Sequence, residues 1–206
     1  MAKIIDEESA RLDLLIGEAV EMAEYDADVV RMHLAPQHPR ALLEQAVEES
    51  HEALATHKVT IDVKEPDEPC WFDSQLLRRV LRHLLENAAA HTQPNSQITL
   101  TSRRAGDRLE FSVEDDGPGI DAQDLPLIFD KFYRGKRGSS RRKGSGMGLA
   151  ITRSILKVHG GGIEALSAPG KGAAFRFWVP LVEKAPDGGA SRLSLASSIQ
   201  RSSLTE

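Results

Sequence analysis

Cysteine, aromatic residues and long hydrophobic runs are all scarce in this sequence, and each scarcity argues against a class of structure or function. A single cysteine, Cys70, among 206 residues rules out an internal disulfide and is typical of a reducing compartment. No apolar run approaches the roughly 18 residues that cross a bilayer, and no hydrophobic signal-peptide segment is present. We therefore expect a cytoplasmic chain without a membrane span, although a longer parent protein could still be anchored in a membrane.

The formal net charge of −5 argues against a general binder of polyanions. Basic residues nevertheless cluster in one stretch, which contains Lys131, Arg134, Lys136, Arg137, Arg141, Arg142 and Lys143. A nucleic-acid interface would need basic residues spread over a face with aromatic residues between them. Only Tyr133 and two phenylalanines lie near this stretch, so we expect no nucleic-acid partner.

The hydrophobic pattern predicts helices and strands that do not alternate as regular βαβ units. Helices are predicted over residues 3–33, 39–57, 74–91, 122–130 and 147–159, and strands over 59–63, 97–104, 108–115, 162–167 and 173–181. Asp73 or Ser74 can cap the helix over 74–91. The mixture predicts an α+β fold, a two-layer sandwich in which helices cover one face of a mixed, mostly antiparallel sheet.

Three regions follow from this pattern. The first helix carries an apolar stripe at three- and four-residue spacing, including Leu12 and Ile16, and such a stripe needs a partner. We interpret residues 1–35 as one half of a helical hairpin; the alternative is a terminal helix that folds onto the domain. Residues 36–182 are expected to form the globular domain, and residues 183–206, which lack periodicity, a disordered Ser-rich tail.

The helix over 74–91 contains "HLLENAAAHT", residues 83–92. His83, Asn87 and His91 recur at every fourth position and so share one face. The neutral amide oxygen of Asn87 suits Mg²⁺ that is shared with phosphates, although one Asn on a helix is more often a surface polar group. A zinc site is disfavoured because no third soft ligand lies at a suitable spacing.

A second motif, "VEDDGPGI", occupies residues 113–120 at the end of a strand. Asp115 is in register with Leu109 and Phe111, so we expect it on their inward face, where a carboxylate needs a partner. The exocyclic amine of adenine is a suitable donor, and Gly117 and Gly119 would let the backbone pass close to a flat ring. The simpler interpretation is an Asp-Gly turn.

The third motif is "IFDKFYRGKRGSSRRKGSGMGLAI", residues 128–151. Gly144, Gly146 and Gly148 lie at the entry to a helix, where free N–H groups and the positive dipole end favour phosphate. The order fits neither a Rossmann fingerprint nor a P-loop. Alone, the basic run is equally typical of a solvated loop.

The order of these motifs resembles the N, G1, F and G2 boxes of sensor histidine kinases, which share their ATP-binding fold with DNA gyrase B, Hsp90 and MutL. The resemblance covers roughly residues 3–182. It implies a Bergerat-type fold, ATP and Mg²⁺ as ligands, and protein-histidine kinase activity in two-component signalling. It also implies a response regulator receiver domain as partner and a homodimer formed through the N-terminal hairpin of the longer protein.

The resemblance further implies roles for single residues. Asn87 matches the Mg²⁺ ligand and Asp115 matches the acceptor of the adenine amine. The loop from Tyr133 to Lys143 resembles an ATP lid anchored by Phe129 and Phe132. The residues that match nucleotide-binding positions are His83, Asn87, His91, Asp115, Gly117, Gly119, Ile120, Phe129, Phe132, Tyr133, Arg134, Lys143, Gly144, Ser145, Gly146, Met147, Gly148 and Leu149.

Four positions depart from the family pattern, which is compatible with weaker ATP affinity. His83 stands where Asn is commoner, and Ala90 replaces a frequent Lys or Arg. His91 occupies a position often held by an aromatic residue. Ala173 replaces a frequent Thr or Ser.

The phosphoacceptor histidine and its adjacent acid have no match, so no catalytic residue is assigned. The one His-Glu pair, at His51, lacks the proline and the basic residue of an H box and lies 36 residues before Asn87. The family has the first helix of its ATP domain there. We expect transfer to a histidine outside this sequence, and we interpret the sequence as a piece that begins after the H box.

Two alternatives share the fold. An anti-sigma-factor-type serine kinase is one, and the long first helix and the Phe-x-x-Phe box count against it. An ATP-gated interaction module of the MutL type is the other. Such modules use a Glu four residues before the Asn, where this sequence has His83.

Overall fold

The computed structural model describes residues 2–26, 30–64, 67–135 and 145–182, with only the backbone given for residues 2–8, 10, 11, 13, 14 and 26. Along these residues the elements are α1 (Ala2–Asp26), β1 (Ala35–Gln37), α2 (Pro39–Glu49), α3 (His51–Leu54), β2 (Lys58–Val63), β3 (Cys70–Phe72), α4 (Ser74–His91), β4 (Gln97–Ala105), β5 (Arg108–Asp115), α5 (Gly148–Val158), β6 (Gly162–Ser167) and β7 (Ala173–Pro180). The predicted tail at 183–206 lies outside the described residues.

The main sheet has the strand order β2-β4-β5-β7-β6. Strands β2 and β4 are parallel, whereas the other neighbouring pairs are antiparallel. Alternate residues of these strands point to one face, where α2, α4 and α5 cover them. The predicted α+β fold with a mixed, mostly antiparallel sheet is therefore confirmed.

The core lies between the sheet and α4. Phe111 of β5 stacks on Phe177 of β7, with 5.0 Å between ring centroids. The buried positions of α4 recur at helical spacing and are Leu77, Val80, Leu81, Leu84, Leu85 and Ala88. Asp73 caps α4, because its Oδ1 accepts the N–H of Leu76 at 3.1 Å. Burial of one face of α4 leaves its polar residues on the opposite side.

The first helix is shorter than predicted. Helix α1 ends at Asp26, and residues 30–34 are not helical. In this segment the His33 N–H donates to Asp73 Oδ2 at 2.7 Å, and Met32 is buried. These contacts with the domain replace the helical hydrogen bonds that the pattern predicted.

Helix α1 packs on α5 through buried Met22 and Tyr25, and Glu21 forms an ion pair with Arg79 of α4 at 2.9 Å. A different face remains exposed and carries Leu12, Ile16 and Val20, which are 57%, 60% and 55% exposed. None of the described helices is both long and apolar enough to cross a membrane.

Two further predictions differ from the structure. Residues 122–130, predicted as a helix, form successive turns in which three- and four-residue hydrogen bonds mix. Pro126 lies in the middle of this segment and has no N–H for a regular helix. The helix predicted over 39–57 is divided at Ser50 and ends at Leu54.

Candidate functional site

The polar face of α4 forms one wall of the candidate site. His83 is mostly buried, Asn87 is half-buried and His91 is exposed. Among the described residues, no hydrogen bond involves the side-chain amide of Asn87. The His83 ring lies against the start of α5. A Cβ added to Gly148 would lie 3.2 Å from His83 Nδ1. The structure therefore brings two of the predicted motifs together.

His83 is uncharged at neutral pH. Burial, together with the nearby cations Arg82 and Arg79, lowers its pKa to about 4. Its Nε2 is buried and has no hydrogen-bond partner among the described residues. A neutral imidazole at this position offers a donor or an acceptor to a ligand without adding charge.

We predict a pH-dependent stability from His83. Its folded pKa, about 4, lies below the ordinary value of 6.5, so the folded state favours the neutral ring. This contribution is fully present above pH 6.5 and is lost as the pH falls toward 4. At 1.36 kcal/mol per pKa unit it amounts to about 3 kcal/mol at most. His83→Asn should therefore lose less stability than the parent protein between about pH 7 and pH 4.5 in urea unfolding. Parallel losses in the two proteins would contradict this assignment.

Asp115 ends β5 and forms a second wall. Its Oδ1 accepts the N–H of Gly117 at 2.9 Å, and the register places it opposite Ala173 of β7. Burial raises the pKa of Asp115, while hydrogen bonds from the backbone of Gly117 and Ala173 oppose that rise. The carboxylate has further lone pairs for a ligand. The inward register predicted from the strand is the one observed.

The segment from Gly117 to Ile120 is held against the turn between β6 and β7. The Gly172 N–H donates to Gly117 O at 3.0 Å, and the Ile120 N–H donates to Ser167 Oγ at 2.9 Å. Gly119 has φ +73°, and a Cβ there would lie 2.0 Å from Ala168 O. Glycine is therefore required by both conformation and space.

The start of α5 forms the third wall. Its N-cap residue, Met147, makes no side-chain cap, so the first N–H groups of the helix have no side-chain acceptor there. The Met147 side chain is buried in the core, and its N–H donates to Ser145 Oγ at 3.0 Å. Uncapped N–H groups at the positive end of a helix attract an anion.

The two predicted phenylalanine anchors differ. Phe129 is half-buried and meets Phe175 edge-on, with ring centroids 6.5 Å apart. Phe132 is 61% exposed and has φ 62°, so its ring does not anchor the segment to the core. The left-handed conformation is uncommon for a residue with a bulky side chain.

The other residues that were predicted to bind nucleotide do not share one environment. Ile120 and Leu149 pack partly against the core. Arg134 is exposed. Lys143 and Gly144, and with them most of the loop interpreted as a lid, lie outside the described residues.

Sequence reasoning missed Thr92, which follows α4. Its hydroxyl donates to Ala88 O at 2.8 Å and is 2.9 Å from His57 Nε2. A Cβ on Gly117 would lie 2.8 Å from Thr92 Cγ2, so Thr92 lies beside the Asp115 wall. A threonine directly after a predicted helix was the available signal.

These walls can hold a ligand with two different ends. The Asp115 end presents an acceptor beside closely packed backbone, which suits a flat amine-bearing ring. The α5 end presents N–H groups that no side chain of the N-cap residue caps, and such groups suit phosphate. Asn87 lies on the helix between His83 and Thr92, and its unoccupied amide oxygen suits a hard cation.

Known proteins are similar to this chain in sequence. Residues 72–183 match the family described as "Histidine kinase-, DNA gyrase B-, and HSP90-like ATPase". Sensor histidine kinase TrcS of Mycobacterium tuberculosis is 35% identical over 191 residues, which cover 87% of this chain and 36% of TrcS. The alginate biosynthesis sensor protein KinB of Pseudomonas aeruginosa is 33% identical over 183 residues, covering 88% of this chain and 30% of KinB.

Solved structures are also similar. Full-length ShkA in complex with AMPPNP matches with a TM-score of 0.77 and 27% identity, over 89% of this chain and 39% of ShkA. The catalytic domain of histidine kinase ThkA matches with a TM-score of 0.65 and 25% identity, over 73% of this chain and 97% of that chain. This chain thus spans well under half of TrcS, KinB and full-length ShkA.

Proposed function

This chain belongs to the family of histidine kinase-, DNA gyrase B- and HSP90-like ATPases, and on that premise we propose that it is the ATP-binding catalytic domain of a sensor histidine kinase. It transfers the γ-phosphate of ATP to a histidine that is not among these 206 residues. A response regulator then receives the phosphate on an aspartate. The domain works on the cytoplasmic side of any membrane, where ATP is available.

The observation that carries this proposal is the convergence of three walls. The polar face of α4, the Asp115 strand end and the uncapped start of α5 are far apart in sequence, yet the contact between His83 and Gly148 joins α4 to α5. In this proposal Asp115 accepts the adenine amine and the α5 N–H groups bind phosphate. Gly117 and Gly119 leave room for the ring.

The residues present fit Mg²⁺ bound together with ATP. Asn87 would hold the ion through its amide oxygen, with the phosphates and water as further ligands. When bound there, Mg²⁺ would neutralise negative charge that develops on the phosphates. The chain itself orients the nucleotide.

The exposed face of α1 supports the dimer part of the proposal. Leu12, Ile16 and Val20 recur at every fourth residue and are more than half exposed. A helical face of this kind needs a partner helix. We propose that it pairs within the hairpin of the longer protein, through which two copies form a homodimer.

The experiment combines binding with labelling. Calorimetric titration should detect ATP binding that requires Mg²⁺. Incubation with γ-labelled ATP should leave the seven histidines of this chain without acid-labile phosphate. His51 is exposed at the start of α3, so stoichiometric label on His51 would overturn the assignment of an external acceptor. Absence of ATP binding would overturn the nucleotide assignment itself.

A further inference from the structure

Asp124 is a buried carboxylate outside the motifs that the sequence singled out. Only 9% of it is exposed. Its Oδ1 accepts a hydrogen bond from the Tyr133 hydroxyl at 2.8 Å. A Cβ added to Gly135 would lie 2.8 Å from its Oδ2. A carboxylate this deeply placed requires a hydrogen-bond partner; Tyr133 supplies it, and Gly135 leaves room beside it.

Phe132, the residue before Tyr133, adopts a costly conformation. Its φ of 62° lies in the left-handed region, which a bulky side chain rarely occupies. Its ring is 61% exposed, so burial of the ring cannot offset the strain. Strained residues persist where neighbouring contacts fix them. The hydrogen bond of Tyr133 to Asp124 is a side-chain contact of this kind at the residue that follows Phe132.

The same backbone touches the start of α5. A Cβ added to Gly146 would lie 2.9 Å from Tyr133 O and 3.0 Å from the carbonyl carbon of Phe132. Gly146 itself has φ +77°. A shift of Phe132 and Tyr133 would therefore shift the turn that leads into the phosphate-binding end of α5.

We propose that Asp124 is a positioning residue for nucleotide binding, which acts through Tyr133 to hold the Phe132–Tyr133 backbone against Gly146. This inference rests on the proposed function, because it assigns the nucleotide phosphates to the start of α5. Asp124 does not itself touch the nucleotide. The hydrogen bond also raises the pKa of Tyr133. This raised pKa can be measured without any ligand.

The test measures AMPPNP affinity with Mg²⁺ by calorimetry in the whole chain. Asp124→Ala and Tyr133→Phe each remove one partner of the same hydrogen bond, and each should weaken binding about five- to tenfold. The double variant should bind about as weakly as either single variant, because coupled sites are not additive. Asp124→Asn keeps an acceptor oxygen and should recover most of the affinity. Asp130→Ala removes an exposed acid of the same segment and should bind like the parent.

A second readout follows the Tyr133 hydroxyl directly. The chain has two tyrosines, and NMR of Cζ-labelled tyrosine resolves each one during a pH titration. Asp124→Asn should lower the pKa of Tyr133 and leave that of Tyr25 unchanged. This readout remains decisive if Asp124→Ala does not fold.

The outcomes separate the two proposals. If the parent binds AMPPNP and both single variants bind equally well, the positioning role is wrong. Additive losses in the double variant, or a Tyr133 pKa that is the same in Asp124→Asn, would also overturn it. If the parent does not bind AMPPNP, the proposed function fails, and the titration still tests the link between Asp124 and Tyr133.

Discussion

Asp115→Ala is expected to weaken ATP binding by at least about tenfold. The carboxylate is half-buried at the end of β5 and is oriented by the Gly117 N–H, and its remaining lone pairs can accept the adenine amine. A hydrogen bond to a charged group is worth about 1.5–3 kcal/mol. That range corresponds to roughly 10- to 150-fold in affinity.

The base preference follows from the same contact. Guanine presents a carbonyl oxygen where adenine presents its amine, so GTP would bring two acceptors together in the parent protein. Calorimetric titration of ATP and GTP into the parent and its variants measures both effects. Equal affinity for the two nucleotides in the parent would contradict the assignment of Asp115.

Asp116→Ala is the matched control. Asp116 is the next residue, it is exposed, and its Oδ1 accepts the N–H of Gln97 at 3.1 Å. Water can replace that acceptor after substitution, so ATP affinity should change much less. A larger loss for Asp116→Ala than for Asp115→Ala would mean that the strand presents the other side chain to the ligand.

Gly119→Ala is expected to destabilise the domain by about 2–5 kcal/mol, a large part of the total stability of an ordinary domain. Two causes add together. The left-handed φ of +73° costs about 1–2 kcal/mol for a residue with a Cβ. The Cβ would also lie 2.0 Å from Ala168 O, and the backbone shift needed to relieve that overlap costs about 1–3 kcal/mol more.

Gly170→Ala separates the two causes. Gly170 has nearly the same φ, +74°, but a Cβ there would meet nothing within 4 Å. We expect a loss of about 1–2 kcal/mol in urea unfolding, from conformation alone. Equal losses for the two variants would show that the contact between Gly119 and the β6–β7 turn is looser than described.

The parts of the site that the sequence predicted depend on local periodicity. Asn87 falls on the polar face of α4 because the apolar residues of that helix recur regularly, and Asp115 follows from strict alternation along β5. The glycines at 117, 119, 146 and 148 lie at element ends, where short motifs are informative. These features need only neighbouring residues to be recognised.

The features of the fold that the sequence did not predict depend on contacts between residues that are distant along the chain. Strands β1 and β3 have three residues each and pair across more than thirty positions, so neither shows a strand pattern. Beyond the end of helix α1, His33 bonds to Asp73 across forty positions, which no local pattern contains. The bond from Tyr133 to Asp124 spans a segment whose apolar spacing resembled a helix, and Pro126 instead leaves it as turns.

The central claim is that an adenine nucleotide binds between α4, the end of β5 and the start of α5. The most direct measurement is the map of backbone amide shifts when AMPPNP and Mg²⁺ are added to isotope-labelled protein. The account predicts that the largest changes cluster in three separate stretches, at residues 83–92, 115–120 and 145–149. The opposite face of the sheet, which includes Thr101, Ser112 and Arg176 in register, should remain unchanged. Largest changes on that face, with the three stretches unaffected, would contradict the account.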